Sequence, residues 1–379
     1  MKKDVRIFLF FILSVLLLVG CSRISRKVPD EVQKTVRQIR QKYAPDKRLT
    51  VFSVHLTKKG DQLIVSGEVG NKKLARILKD SILAHAERLD VLFDLKTLPD
   101  STLGDSVLAI VDVSTGHLRR QPKNSAELVS QAILGSTLRL LKKKGGWFYV
   151  QMEDRYLGWM GKSYFWRTDS AGWKKWQTLP KILVTQTWGW VKKSPNAEAE
   201  NLTDVVAGAR LPVTGRRGNW YRVQLPGGKT GYLLCSEAIP LKKWQQEKPS
   251  AARIVQTARR FLGLPYLWGG TSSKAFDCSG FVQTVFKLNH IALPRDANQM
   301  AQVGRKIDPG ENFQNLRPAD LLFFGPRPGK ITHVALSIGN GHFYHADGRV
   351  HENSLVQGDS LFNAYRFRTF RMARRILGR

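Results

Sequence analysis

Cysteine is scarce in this chain: three in 379 residues, at Cys21, Cys235 and Cys278, with no CxxC pair among them. A bridge between Cys235 and Cys278 would consume both thiols. Acidic residues are also few, 30 against 61 Lys and Arg, which leaves a formal charge of +31. A chain this basic calls for an anionic neighbour: nucleic acid, an acidic membrane or an acidic polymer. A membrane-spanning run is missing too, because the apolar stretch from Ile7 to Val19 is too short and wrongly flanked to cross a bilayer comfortably. What is present is a globular composition, 42% hydrophobic and 24% charged, which excludes disorder. The length suits about two to four domains.

The opening "MKKDVRIFLFFILSVLLLVGCS" has a short basic start, an apolar run and small residues at its end. It reads as a secretory signal over residues 1–20. Leu18-Val19-Gly20-Cys21 resembles a bacterial lipobox. That resemblance implies cleavage before Cys21, lipidation of its thiol and amine, and a tethered mature protein. The expected place is the cell envelope, facing the periplasm or the exterior; an uncleaved N-terminal anchor is the alternative. Nucleic acid is then not an expected partner, whereas wall polymers and acidic headgroups are. If Cys278 is a nucleophile, Cys235 is expected to be a buried bystander.

The pattern predicts an α+β, multidomain chain. Residues 21–100 form a small unit: a helix capped by Asp30, strands over Leu49–Leu56 and Gln62–Val69, and a helix with Leu74, Ile77, Leu78 and Ile82 on one stripe. It faintly resembles a BON module and receives no chemistry. Two domains are expected over about 104–168 and 178–242: "AILGSTLRLLKKKGGWFYVQMEDRYLGWM" in the first aligns without a gap with "VVAGARLPVTGRRGNWYRVQLPGGKTGYL" in the second at an offset of 73 residues, with Trp147 on Trp220 and Gly158 on Gly231. These repeats resemble bacterial SH3 barrels. Leu241–Ser250 reads as a linker, and a last domain covers 250–379. The tail "YRFRTFRMARRILGR" holds arginines and no acid, which predicts either electrostatic attachment to acidic lipids or wall carboxylates, or a bare basic edge strand.

In the last domain Cys278 follows a glycine turn and precedes a helical stripe of Phe281, Val282, Val285 and Phe286. A thiol at a helix N-terminus is placed to ionise, since free N–H groups and the helix dipole favour the anion. His333 and His345 fall on the two strands of a hairpin turning at Gly339-Asn340-Gly341, while His342 faces the opposite side from His345. A thiol, an imidazole and a third polar group are the parts of a cysteine hydrolase. On these residues alone Cys278 can be a nucleophile, a buried small hydrophobe or a metal ligand.

"PYLWGG", "DCSGF", "LPRDANQ", "PADLLFF" and "THVALSIGNGHFYHA" occur in the order and spacing of the NlpC/P60 cysteine peptidases. The resemblance covers roughly residues 250–350 and implies a papain-like catalytic domain. It assigns Cys278 as nucleophile, His333 as general base and His345 as the residue that orients it, with no cofactor or metal. Paired SH3 domains before such a domain resemble γ-D-glutamyl-L-diamino acid endopeptidases, which act on peptidoglycan stem peptides. The family's substrate-gripping positions map to Tyr266, Asp277, Ser279 and Asp296. An acid and a phenol from the first SH3 domain map to Glu127 and Tyr156. Helix capping is the alternative for Asp277, Ser279 and Asp296, surface charge for Glu127 and packing for Tyr156. The resemblance therefore implies a monomeric, lipid-anchored endopeptidase that favours stems with a free N-terminal L-Ala. A catalytically idle wall-binding lipoprotein and an amidase or acyltransferase using the same Cys-His-His set are the competing expectations. Ala297 stands where the subgroup often has Ser, and "PADL" where the family commonly has Pro-Gly-Asp-Leu.

Overall fold

The computed structural model describes residues 27–87 and 89–378, so the signal segment and Cys21 lie outside the described residues. Four bodies follow one another and pack together.

The first runs helix Asp30–Tyr43, strands Phe52–Lys59 and Gln62–Val69, helix Lys72–Leu83 and strand Asp90–Thr97. The first two strands pair antiparallel, and the third lies parallel to the second. Leu74, Leu78 and Ile82 are buried from the second helix, and Asn71 caps it through the Leu74 amide at 2.8 Å. Asp30 does not cap the first helix as expected: Pro29 holds that position, and Asp30 falls in the first turn, where its charge still complements the dipole.

The 73-residue repeat is structural as well as sequential. Each of the seven strands of the first barrel, beginning at Leu108, Thr115, Leu128, Thr137, Trp147, Leu157 and Phe165, has a counterpart that begins 73 residues later. Each copy encloses its own apolar core, with Leu140 and Val150 in the first and Leu211 and Val223 in the second. The presumed linker is ordered. Leu241–Gln246 is a helix, and Trp244 donates its indole N–H to the Leu288 carbonyl at 2.9 Å and packs on His290. The apolar surface of this tryptophan explains the difference, since it clamps the second barrel to the last domain.

The last domain places helices against a six-stranded antiparallel sheet. Its strand order is Arg305–Ile307, Phe370–Arg375, Leu321–Phe324, His333–Gly339, His342–Asp347 and Arg349–Ser354. Phe281, Val282, Val285 and Phe286 are fully buried beneath the helix Cys278–Lys287. Each such side chain stabilises the fold by about 1.5–3 kcal/mol relative to exposure. The basic tail is an interior strand rather than a bare edge. Arg375 pairs with the buried Asp320 at 2.7 Å, and Arg366 with Asp347 at 2.6 Å. Ala319, in the "PADL" turn, adopts a left-handed φ of 72°, the conformation that glycine takes without a Cβ penalty.

Candidate active site

Cys278 is the first residue of its helix and is almost wholly buried. Asp277 caps that helix, accepting the Gly280 amide at 2.6 Å. The helix start is pressed against the preceding turn: a Cβ on Gly280 would lie 1.9 Å from the Gly270 carbonyl oxygen, so only glycine fits. The thiol lies beside the backbone N–H groups of Ser279 and of Val334, the residue after His333. Strand and helix therefore bring the thiol against the backbone at the start of the His333 strand.

Leu336 pairs with Tyr344 across the hairpin, and this register puts His333 and His345 on one face of the sheet. His333 Nε2 and His345 Nδ1 are 3.0 Å apart, and His345 Nε2 is 2.9 Å from Asn353 Oδ1. Asn363 donates to the same Asn353 oxygen at 2.9 Å, which orients the amide. An acceptor at Asn353 requires a proton on His345 Nε2. His345 Nδ1 is then an acceptor, His333 Nε2–H donates to it, and the other ring nitrogen of His333 keeps its lone pair for the thiol proton. Asn353 is a site residue that sequence reasoning missed; its only signal is a position on the strand paired with that of His345. His342 turns away to Glu352 and Asp359, as expected from strand alternation.

At rest the pair is neutral. Burial pushes the Cys278 thiol up to about 11, the nearby Asp277 carboxylate adds to this, and the Val334 and Ser279 amides and Arg295 oppose it. The expected low thiol pKa is thus outweighed by desolvation. Burial likewise holds His333 well below the ordinary imidazole range and His345 at about 3. Both histidines have depressed folded-state values, so their neutral burial stabilises the protein above the unfolded-state pKa. That contribution is lost as pH falls. Below about pH 6.5 the unfolded chain binds protons that the native state refuses, and stability drops by up to about 1.4 kcal/mol per pH unit for each histidine. Urea midpoints measured between pH 7.5 and 4.5 should fall accordingly, and less steeply in a His345→Gln variant. An unchanged midpoint would contradict the buried neutral pair.

Tyr266 packs against the same core, and its phenol is pushed up by burial and by the proximity of Cys278 and Asp277. The Asp277 carboxylate is taken by Arg295, at 2.5 Å and 3.1 Å, and by the Gly269 amide at 3.0 Å. Arg295 also donates to Ser279 Oγ at 2.9 Å and to Ser130 Oγ of the first barrel at 3.2 Å. Its charge, buried within a motif singled out for Asp296, was not read from sequence. Asp296 begins the short helix Ala297–Met300, and its Oδ2 accepts the Tyr156 hydroxyl at 3.0 Å. Tyr156 is therefore not merely packing. Glu127 does not join that pair: it is exposed, bonded to Arg120, and accepts the Trp268 indole N–H at 3.0 Å.

The first barrel packs against the last domain beside the site. Thr271 exchanges three buried hydrogen bonds with Gln131, at 2.9, 3.0 and 3.2 Å. Gly269 has φ +77° and sits where a Cβ would be 2.4 Å from the Leu128 carbonyl oxygen. Cys235 is a free thiol in the second barrel, half-buried rather than buried. Among the described residues no group of three or more His, Cys, Asp or Glu side chains is placed to hold a metal ion. Among them no helix is long and apolar enough to cross a membrane.

The NlpC/P60 family model matches residues 263–372, a bacterial dipeptidyl-peptidase SH3 domain matches 118–163, and a bacterial SH3 domain matches 183–237. A γ-D-glutamyl-L-lysine dipeptidyl-peptidase of Bacillus cereus is 32% identical over 234 residues, spanning 59% of this chain and 68% of the relative. A protein of the same name from Bacillus subtilis is 30% identical, spanning 57% and 71%. The crystal structure of an NlpC/P60 family protein from Bacillus cereus superposes with a TM-score of 0.61 at 27% identity, over 72% of this chain and 100% of that one.

Proposed function

This chain belongs to the NlpC/P60 family of cysteine peptidases, which acts on peptidoglycan peptides, and we propose that it is a lipid-anchored enzyme hydrolysing the γ-D-glutamyl–diamino acid bond of stem peptides, with a preference for a free N-terminal L-Ala. The observation that carries the chemistry is the ordered chain Asn353–His345–His333, on a strand whose next amide, that of Val334, lies beside the Cys278 thiol. Cys278 Sγ attacks the γ-carbonyl carbon while His333 takes the thiol proton. The first N–H groups of the Cys278 helix, which have no intrahelical acceptor, meet the oxyanion. His333 then returns the proton to the departing diamino acid amine, leaving a thioester. Water, deprotonated by His333, hydrolyses it and restores the thiol.

The substrate end is supported by position. The Ser279 hydroxyl accepts from Arg295 and donates to Asp277, and on binding it exchanges the Asp277 contact for the D-Glu α-carboxylate. Asp296, held by Tyr156, offers a carboxylate to the L-Ala ammonium. The lipid anchor at Cys21 and the place in the cell envelope rest on the N-terminal sequence.

The test is mass spectrometry of products from L-Ala-γ-D-Glu-L-Lys and its diaminopimelate counterpart, each with free and acetylated N-termini. Release of L-Ala-γ-D-Glu, with kcat/KM at least about tenfold lower on acetylated peptides, is expected. A cut at another bond, or acyl transfer to an added amine in place of hydrolysis, would replace this reading. No cleavage by the wild-type protein would favour a wall-binding role.

A further inference from the structure

The N-terminal unit, which received no chemistry from its sequence, reaches the substrate end of the cleft through Arg48. Arg48 lies between the first helix and first strand of that unit. Its carbonyl accepts the Leu157 amide of the first barrel at 2.8 Å, and the next carbonyl, that of Leu49, accepts the Gln151 side chain at 2.9 Å. The segment is thus fixed between two domains. The guanidinium is divided between two carboxylates. Nη1 is 2.7 Å from Asp296 Oδ2, and Nη2 is 2.6 Å from Asp46 Oδ2. Nη1 also reaches Asn298 Oδ1 at 3.0 Å, and Gln299 donates to Asp46 at 2.7 Å. The Arg48 and Asp296 side chains are 29% and 26% exposed, so the pair is reached from solvent.

Asp296 Oδ2 is the atom that already takes the Tyr156 hydroxyl. A cation of the protein therefore holds the counter-ion that a substrate ammonium would seek. Two cations on one carboxylate repel each other. We propose that Arg48 is a specificity-determining residue: its guanidinium competes with the N-terminal ammonium of the stem peptide for Asp296. Asp46 sets the strength of that competition by holding the other edge of the guanidinium. The proposal rests on the reading of Asp296 as the residue that meets the amine. It gives the N-terminal unit a role: the unit limits how strongly free and acylated stems are told apart.

The test is calorimetric titration of L-Ala-γ-D-Glu and N-acetyl-L-Ala-γ-D-Glu into the full chain carrying Cys278→Ala, alone and with Arg48→Gln, Arg48→Lys or Asp46→Asn. The readout is the ratio of the acetylated to the free Kd. Arg48→Gln removes the competitor, and the ratio rises by about tenfold. Asp46→Asn leaves Asp296 as the sole anionic partner of Arg48, and the ratio falls by about threefold or more. Arg48→Lys keeps the charge and stays within about threefold of the parent. An unchanged ratio in Arg48→Gln, or a shift of both Arg48→Gln and Asp46→Asn in one direction as a loosened segment would give, overturns the proposal. If the free dipeptide binds in preference and only the ratio fails to respond, the role of Arg48 falls and the substrate reading stands. If neither dipeptide binds and the wild-type protein cuts elsewhere, both fall.

Discussion

Replacing Cys278 with alanine is expected to lower kcat by at least about 10⁴-fold, because the covalent step has no other nucleophile and the residual rate comes from binding and oxyanion contacts alone. The change removes one sulfur from the start of a helix whose buried stripe of Phe281, Val282, Val285 and Phe286 is untouched. The fold should therefore persist, and the circular dichroism spectrum should match that of the parent. Steady-state cleavage of L-Ala-γ-D-Glu-L-Lys checks the rate. Activity within about tenfold of wild type would remove Cys278 from the reaction.

Replacing Arg295 with methionine is expected to cost about 3–5 kcal/mol of stability. The Arg295 side chain is 2% exposed, and its partner Asp277 has 10% exposure. Methionine fills part of the volume but leaves Asp277 as a buried carboxylate without its cation, takes a donor from Ser279, which keeps its bond to Asp277 at 3.2 Å, and removes the Arg295 bond to Ser130. The effect should reach beyond the catalytic domain, since Ser130 belongs to the first barrel. Urea unfolding followed by tryptophan fluorescence measures the loss. The double variant Asp277→Asn/Arg295→Met should recover part of it by removing the stranded charge. A single-variant cost below about 1 kcal/mol would mean that the pair is solvated rather than buried.

The parts of the site legible in sequence were those whose chemistry is local. Cys278 with its capping Asp277, and the hairpin that brings His333 to His345, follow from helix and strand periodicity within short stretches. The barrel repeat was legible because two copies in one chain calibrate each other. What was not legible depends on contacts far apart in the chain. Arg48 meets Asp296 across 248 residues, and Arg295 meets Ser130 across 165. A lone arginine in a chain with 61 Lys and Arg carries no sign of being the one that is buried or aimed at a carboxylate. The helix at Leu241–Gln246 reads as a linker in sequence because its polar residues hide one anchoring side chain, Trp244. The balance at the thiol is hidden for a related reason: a helix terminus can be seen in sequence, but the depth of burial that pushes the Cys278 thiol up cannot.

The two barrels also act as a control experiment within one molecule. The ion pair of Arg120 with Glu127 recurs at the equivalent place in the second barrel as Lys193 with Glu200, 2.9 Å apart. The adjoining backbone bonds match as well, Arg120 N to Glu127 O and Lys193 N to Glu200 O, both 2.9 Å. This charge pair is thus a staple of the hairpin in either copy, present whether or not a catalytic cleft lies alongside. Tyr156 is different: the equivalent position in the second copy is Lys229, which has no phenol to offer a carboxylate. The comparison separates scaffold from recruit. Glu127 carries a contact common to both barrels, whereas Tyr156 is a side chain that the first barrel alone presents to Asp296.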